Sequence, residues 1–246
     1  MDKVLYVAMS GAKQTMQSQA SSANNLANVK TTGFRADLDQ LRAMPAFGEG
    51  HPTRVFALSE RPGYRFDPGT NISTGNDFDF AINGHGWIAV QGDDGNEAYT
   101  RRGDLKINAN GLLENGAGHL ILGNDGPIAL PPFDKIDIAN DGSISIVPEG
   151  AAPNEVAVID RIKLVLPDNG DLMKNREGLF VRKDGALEVA NGAVTVVSGS
   201  LEASNVNAIE ELTDMISLSR QFELQVKLMQ TAEENDKSLE RLLQLS

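Results

Sequence analysis

Residues 204–246, SNVNAIEELTDMISLSRQFELQVKLMQTAEENDKSLERLLQLS, contain neither glycine nor proline, and their apolar positions recur at helical spacing. Met215, Leu218, Phe222, Gln225, Met229, Ala232, Asp236, Leu239 and Leu243 alternate steps of three and four, the a/d pattern of a coiled-coil seam. Asn207 stands three residues before Glu210 as an N-cap, and Glu210, Glu211 and Asp214 suit the positive end of a helix dipole. Glu223 with Lys227, and Glu233 with Lys237, are i,i+4 pairs in the favourable order. The segment is a long helix. Gln225 and Asp236 within the seam either set its register or mark a drift toward water.

The opposite end has the same texture. Residues 1–32 lack proline and carry only Gly11. Leu5, Met9, Ala12, Met16, Gln19, Ala23 and Leu26 follow a 4-3-4-3-4-3 spacing, a second seam. Between Val4 and Val29 the only charged residue is Lys13. A helix that merely coats a soluble protein shows a charged outer face, so this one is built to touch protein on several sides. Each buried apolar side chain contributes about 1.5–3 kcal/mol, whereas ordering a backbone residue costs about 1–2 kcal/mol. So few seam residues do not order so long a helix by themselves. The expectation is ends that fray in the isolated chain and order on assembly.

Between the ends lie all ten prolines and all but one of the 24 glycines. Short strand-like runs at 79–82, 87–90, 97–100 and 104–107 are punctuated by Asn83-Gly84, Asp94-Gly95, Asn110-Gly111 and Asn115-Gly116, dipeptides of tight turns with positive φ. Further runs follow at 135–138, 143–147, 161–166, 178–182 and 193–197. Residues 35–75, with Pro45, Pro52, Pro62 and Pro68, read as an extended connector with little regular structure. The expected fold is therefore α+β. Residues 1–34 and 204–246 form one discontinuous helical domain, paired as a coiled coil, and 76–203 form a central all-β domain of many short strands.

Composition excludes several functions. The net charge of −12 argues against nucleic acid and anionic lipid. The absence of cysteine removes disulfides, thiolate nucleophiles and sulfur-based metal sites. No apolar run approaches the roughly 18 residues of a membrane span, and the N-terminus lacks the pattern of a cleaved secretory signal. His51, His85 and His119 lie 34 residues apart each time, never at ligand spacing, so no metal site is expected. Asp93-Asp94-Gly95-Asn96-Glu97 lacks the remaining ligands of a calcium loop and reads as a hairpin turn. Arg102-Gly103-Asp104 reads as a turn between strands rather than an adhesive tripeptide. No nucleophile elbow or marked carboxylate pair is present, so neither catalytic nor cofactor-binding residues are assigned.

The stretch SANNLANVKTTGFR, residues 22–35, resembles the N-terminal signature of flagellar rod and hook proteins. Its small and amide side chains let neighbouring helices approach closely and hydrogen-bond, and Thr-Thr-Gly ends the helix. Gly84-His85-Gly86-Trp87, Tyr99-Thr100-Arg101-Arg102-Gly103 and Ala109-Asn110-Gly111 are similar to the β-domain of that family. Gly199–Val206, followed by Phe222-Glu223-Leu224-Gln225, is similar to its C-terminal element. Details at both ends, among them Met1-Asp2, Ala8–Ala12 and Thr231–Asp236, most resemble the proximal-rod member, with the distal-rod member the nearest rival.

The resemblance implies a non-enzymatic structural subunit of the basal-body rod, the torque-transmitting drive shaft. It implies export by the flagellar type III apparatus without signal cleavage, and periplasmic assembly with copies of itself and neighbouring rod proteins. The residues expected to form the assembly interface are Leu5, Met9, Ala12, Met16, Ala23, Asn24, Asn25, Leu26, Asn28, Met215, Leu218, Phe222, Met229, Leu239 and Leu243. The alternatives are a distal-rod or hook-type subunit, or a secreted β-domain enzyme or adhesin with helical arms.

Overall fold

The computed structural model describes residues 3–39, 41–45, 55–59, 63–150 and 155–244. His51, Pro52 and Pro62 lie outside the described residues, as do the side chains of Leu239 and Leu243. The chain divides into two compact units. One comprises Met1–Val29, Arg35–Arg65 and Val206–Ser246; the other comprises Lys30–Phe34 and Phe66–Asn205. The architecture is α+β, as expected. No helix among the described residues is long and apolar enough to cross a membrane.

The helical unit is built on α1 (Lys3–Ala27) and α2 (Ala208–Gln244), which lie against each other. At about 1.5 Å per residue they are roughly 37 and 55 Å long. Asn207 caps α2, its Oδ1 accepting from the Ile209 N–H at 3.1 Å. Glu233 and Lys237 pair at 2.7 Å across one turn.

The expectation of little regular structure between 35 and 75 is corrected. That stretch holds β1 (Asp37–Leu38), β2 (Leu41–Pro45), β3 (Val55–Ser59) and β4 (Gly63–Tyr64), with β1 paired to β4 and β2 to β3. Strand β3 rests on α1. Proline does not forbid these strands because it sits at the end of one (Pro45), where no ladder donor is lost from the interior.

The β unit contains β5 (Asn71–Ser73), β6 (Phe80–Asn83), β7 (Trp87–Gln91), β8 (Glu97–Thr100), β9 (Leu105–Ile107), β10 (Leu113–Asn115), β11 (Leu120–Ile121) and β12 (Phe133–Ile138). It continues through β13 (Ser143–Pro148), β14 (Ala157–Arg161), β15 (Leu164–Val165), β16 (Leu172–Lys174), β17 (Phe180–Arg182), β18 (Thr195–Ser198) and β19 (Ser200–Glu202). An eight-stranded antiparallel sheet runs β16-β17-β8-β7-β11-β10-β9, with β15 also on β7. A three-stranded sheet, β12-β13-β14, and the pairs β18-β6 and β19-β5 complete the unit. Alternation sets the core: Ile136, Ile138, Ile144 and Ile146 are buried from β12 and β13, joining Phe80, Ile88, Val90, Leu113 and Ile121.

The hairpins share one turn chemistry. At Asn108, Asn115 and Asn175 the side-chain Oδ1 accepts from the backbone N–H groups two and four residues on. The same residue's carbonyl accepts from a glycine N–H three residues on, at Gly111, Gly118 and Gly178. Each of those glycines has positive φ (76°, 99° and 80°), the left-handed position of a three-residue loop with a bulge. The turn expected at Asn115-Gly116 is present, but the left-handed residue is Gly118.

Several turn carboxylates titrate low. Asp184 is held at about 2, from an ordinary 3.8, chiefly by its bidentate hydrogen bonds from Arg182. Asp94 is lowered by the Asn96 side chain and Asp141 by the Ser143 N–H. A carboxyl depressed in the folded state contributes stability above its unfolded value and loses it as pH falls through the folded value. These groups therefore leave stability flat above about pH 4 and erode it from there to about pH 2. Urea midpoints at pH 4, 3 and 2 should fall progressively, and Asp184→Asn should make the fall shallower; an unchanged slope would show that Asp184 contributes nothing.

Candidate assembly surface

The inward face of α2 is legible in its burial. Glu211, Met215, Leu218, Phe222, Gln225, Met229, Ala232 and Asp236 are each partly or fully covered, at steps of four and three. This is the seam read from the sequence, and Gln225 and Asp236 belong to it. Ala232 is buried outright.

On α1 the seam is displaced. Ala12 is buried as expected, but Leu5, Met9 and Met16 are exposed (37%, 54% and 63%), as are Ala23 and Asn24. The covered face consists of Ala8, Gly11, Ala12, Thr15, Ser18, Ser22 and Asn25, one helical position earlier, with Leu26 and Asn28 half-covered. The cause is complementary size: α2 brings Met215, Leu218, Phe222 and Met229, and α1 meets bulk with small side chains. At Gly11 a methyl group would stand 2.8 Å from the Gln225 amide nitrogen, so the two helices come close there. Thr15 satisfies its hydroxyl within the helix, donating to the Gly11 carbonyl at 2.9 Å.

Asn25 does the most specific work in this unit. Its amide donates to the Asp37 carbonyl at 2.9 Å and to Glu211 Oε1 at 2.8 Å, while its Oδ1 accepts from the Asp37 N–H at 2.8 Å. One buried side chain thus fixes the end of α1, the start of β1 and the first turn of α2. Arg65 adds a long ion pair to Glu210 at 3.9 Å. Asn28 reaches back to the Asn24 carbonyl at 3.0 Å, closing the helix end.

The rest of the signature belongs to the β unit. Gly33 has φ of 68°, and its N–H donates to the Glu202 carbonyl at 2.8 Å. A side chain there would stand 2.4 Å from the Arg101 backbone, so only glycine fits. Glu202 also makes a buried ion pair with Arg101 at 3.2 Å, both side chains about 2% exposed or less. Arg101 further donates to the Gly84 carbonyl and lies over the Trp87 ring at 5.8 Å. A cleft of about 240 Å³ beside it is lined by Phe66, His85, Trp87, Leu166 and Asp168. Its cation is committed to Glu202, so the cleft lacks an available charged group for catalysis.

What the helices leave uncovered is apolar. Leu5, Met9 and Met16 lie on one face of α1, at steps of four and seven. On α2, Ile209 (77% exposed), Leu212 and Ile216 (57%) form a second stripe opposite the seam, and Leu224 and Leu228 extend it. The sequence reading assigned none of these α2 residues to the interface, although their own spacing of three and four announces a second apolar face. Apolar stripes of this length on a water-soluble surface mark contact with another protein.

A helical unit closed by a discontinuous pair of termini, with a β unit of short hairpins between them, is the layout of the flagellar axial proteins. Three family profiles match in order. They are described as flagella basal body rod protein (residues 5–35), flagellar hook protein FlgE/F/G D1 domain (81–146) and flagellar basal body rod FlgEFG protein C-terminal (197–242). The flagellar basal-body rod protein FlgF of Salmonella typhimurium is 39% identical, and that of Escherichia coli 40%, each over the full length of both chains. A FlgG rod protein of Buchnera aphidicola is 31% identical over 98% of both. The chain belongs to the flagellar basal-body rod proteins, in the group of FlgF. It is a structural rod subunit, not an enzyme.

Proposed function

We propose that this chain is a proximal-rod subunit that polymerises through the outward faces of its terminal helices into the torque-transmitting shaft. The observation that carries this reading is the pair of uncovered apolar stripes, on α1 at Leu5, Met9 and Met16 and on α2 at Ile209, Leu212 and Ile216. The heptad spacing of the covered α2 positions supports an inner pairing of the two helices as a coiled coil. Of the interface expected from the sequence, Ala12, Asn25, Met215, Leu218, Phe222 and Met229 then serve the inner pairing. Met9, Met16, Ala23 and Asn24 serve the neighbours.

Head-to-tail contacts that do not close on themselves generate a helical polymer. Covering the exposed half of each large side chain is worth about 1 kcal/mol, and nine or so of them supply on the order of 10 kcal/mol. That is comparable to the roughly 4–15 kcal/mol cost of immobilising a subunit, so each copy must touch several neighbours to stay. The neighbours are other copies, other proximal-rod proteins and the distal-rod protein FlgG. Delivery is by the flagellar type III export apparatus, and assembly is periplasmic.

A fragment of residues 66–205 tests the division of roles. It is expected to fold, with cooperative unfolding reported by its single tryptophan, and to be absent from purified basal bodies of a strain lacking the full chain. Its incorporation into the rod, with motility restored, would overturn the assembly role of the helices.

A further inference from the structure

Three hairpin turns meet at one end of the eight-stranded sheet. They join β7 to β8, β10 to β11 and β16 to β17, strand pairs that neighbour one another across the sheet. Each contributes one potential ligand: Asp93, His119 and Glu177, whose ligand atoms all lie within 4.8 Å of one another.

The histidine is the informative member. Its side chain is nine-tenths buried, yet Nδ1 has no hydrogen-bond partner among the described residues and lies 3.7 Å from Asp93 Oδ1, beyond hydrogen-bonding reach. An orphaned buried nitrogen is costly, and it calls for a partner. The ring is not free to turn away. The His119 N–H is held by Asn115 Oδ1 at 3.1 Å and the His119 carbonyl accepts from the Asn115 N–H at 2.9 Å.

Glu177 is brought in by the equivalent turn at Asn175, and one of its oxygens accepts only long bonds, from the Asp93 N–H at 3.4 Å and the Asn175 amide at 3.3 Å. Gly92 leaves space for it: a methyl group there would stand 3.3 Å from Glu177 Oε2. The neighbouring Asp94 is already engaged by Asn96.

We propose that Asp93, His119 and Glu177 bind a divalent first-row transition ion of the zinc class. His119 binds through Nδ1, each carboxylate through one oxygen, and water completes the shell. One imidazole with two carboxylates matches zinc chemistry, whereas calcium and magnesium take oxygen alone. The two carboxylates balance the charge of the ion. With bonds of about 2.1 Å, tetrahedral ligand atoms stand roughly 3.4 Å apart, so the site must close by about 1 Å. The Asp93 side chain, 78% exposed, and the exposed Glu177 supply that movement by rotation. The bound ion ties together three turns far apart in sequence and stiffens that rim of the sheet.

Isothermal titration of zinc chloride into the metal-free full-length chain tests this, with thermal unfolding confirming that each variant folds. The wild-type chain is expected to take up one zinc ion saturably, and magnesium should not compete. His119→Gln and Glu177→Gln should each weaken binding at least tenfold, while Asp94→Asn and the double variant His51→Gln/His85→Gln should bind as wild type. Glu177 is exposed, so its variant keeps the test decisive should His119→Gln disturb the core. Hydrogen exchange at 93–96, 117–119 and 177–179 should slow on adding zinc to the wild type and not to Glu177→Gln. No saturable uptake, or equal uptake by wild type and both site variants, overturns the proposal.

Discussion

Replacing Glu202 by alanine is expected to lower the stability of the β unit by about 3–5 kcal/mol, the cost of leaving a buried arginine without its counter-charge. Arg101 and Glu202 are both buried at 3.2 Å, and each holds backbone as well. Glu202 Oε1 accepts from the Gly69 N–H at 2.8 Å, and Arg101 donates to the Gly84 carbonyl. Truncating the carboxylate therefore strands the guanidinium and one backbone donor together. The double variant Arg101→Met/Glu202→Leu should recover most of the loss, because a buried ion pair replaced by apolar groups of similar volume is close to neutral. Urea unfolding followed by the fluorescence of Trp87, which lies against Arg101, measures both. A loss below about 1 kcal/mol for Glu202→Ala would mean that water reaches the pair.

The second large effect concerns assembly. Met16→Asp combined with Ile216→Asp should abolish incorporation into basal bodies and with it motility. The purified chain should still unfold at nearly the wild-type temperature. Both side chains are more than half exposed in the single subunit, where a new carboxylate meets water and shifts stability by no more than about 0.5 kcal/mol. In the polymer the same carboxylates are taken out of water without a partner, at a cost of several kcal/mol per contact. Phe222→Asp is the contrasting variant: it lies on the covered seam and should loosen α2 from α1 in the monomer, seen as lost helical signal. Normal motility of the Met16/Ile216 variant would remove the outward stripes from the interface.

The register of α2 was legible because its seam residues are large and regularly spaced, and Asn207 announced its start. On α1 the same reasoning chose the wrong stripe. Following hydrophobicity assigns Leu5, Met9 and Met16 to the inside, but in a chain completed by neighbours the bulky residues are needed outside, and small ones line the inner contact. Composition could not separate these two uses of an apolar residue. The short strands between 37 and 64 escaped because each pairs with a partner many residues away, Asp37 with Tyr64 for example, and their prolines argued for irregular chain. The Arg101–Glu202 pair and the Asp93–His119–Glu177 cluster are likewise products of topology, and spacing along the chain carries no trace of either.

The self-sufficient asparagine turns have a kinetic consequence. Each closes on bonds made within five consecutive residues, so the hairpins they nucleate have low contact order and form in about 1–10 μs. Docking of a subunit on its neighbours is a concentration-dependent step taking milliseconds to minutes. A freshly delivered copy thus arrives at the growing tip with its hairpins already formed, and the loops, rather than the helices, set the order of events.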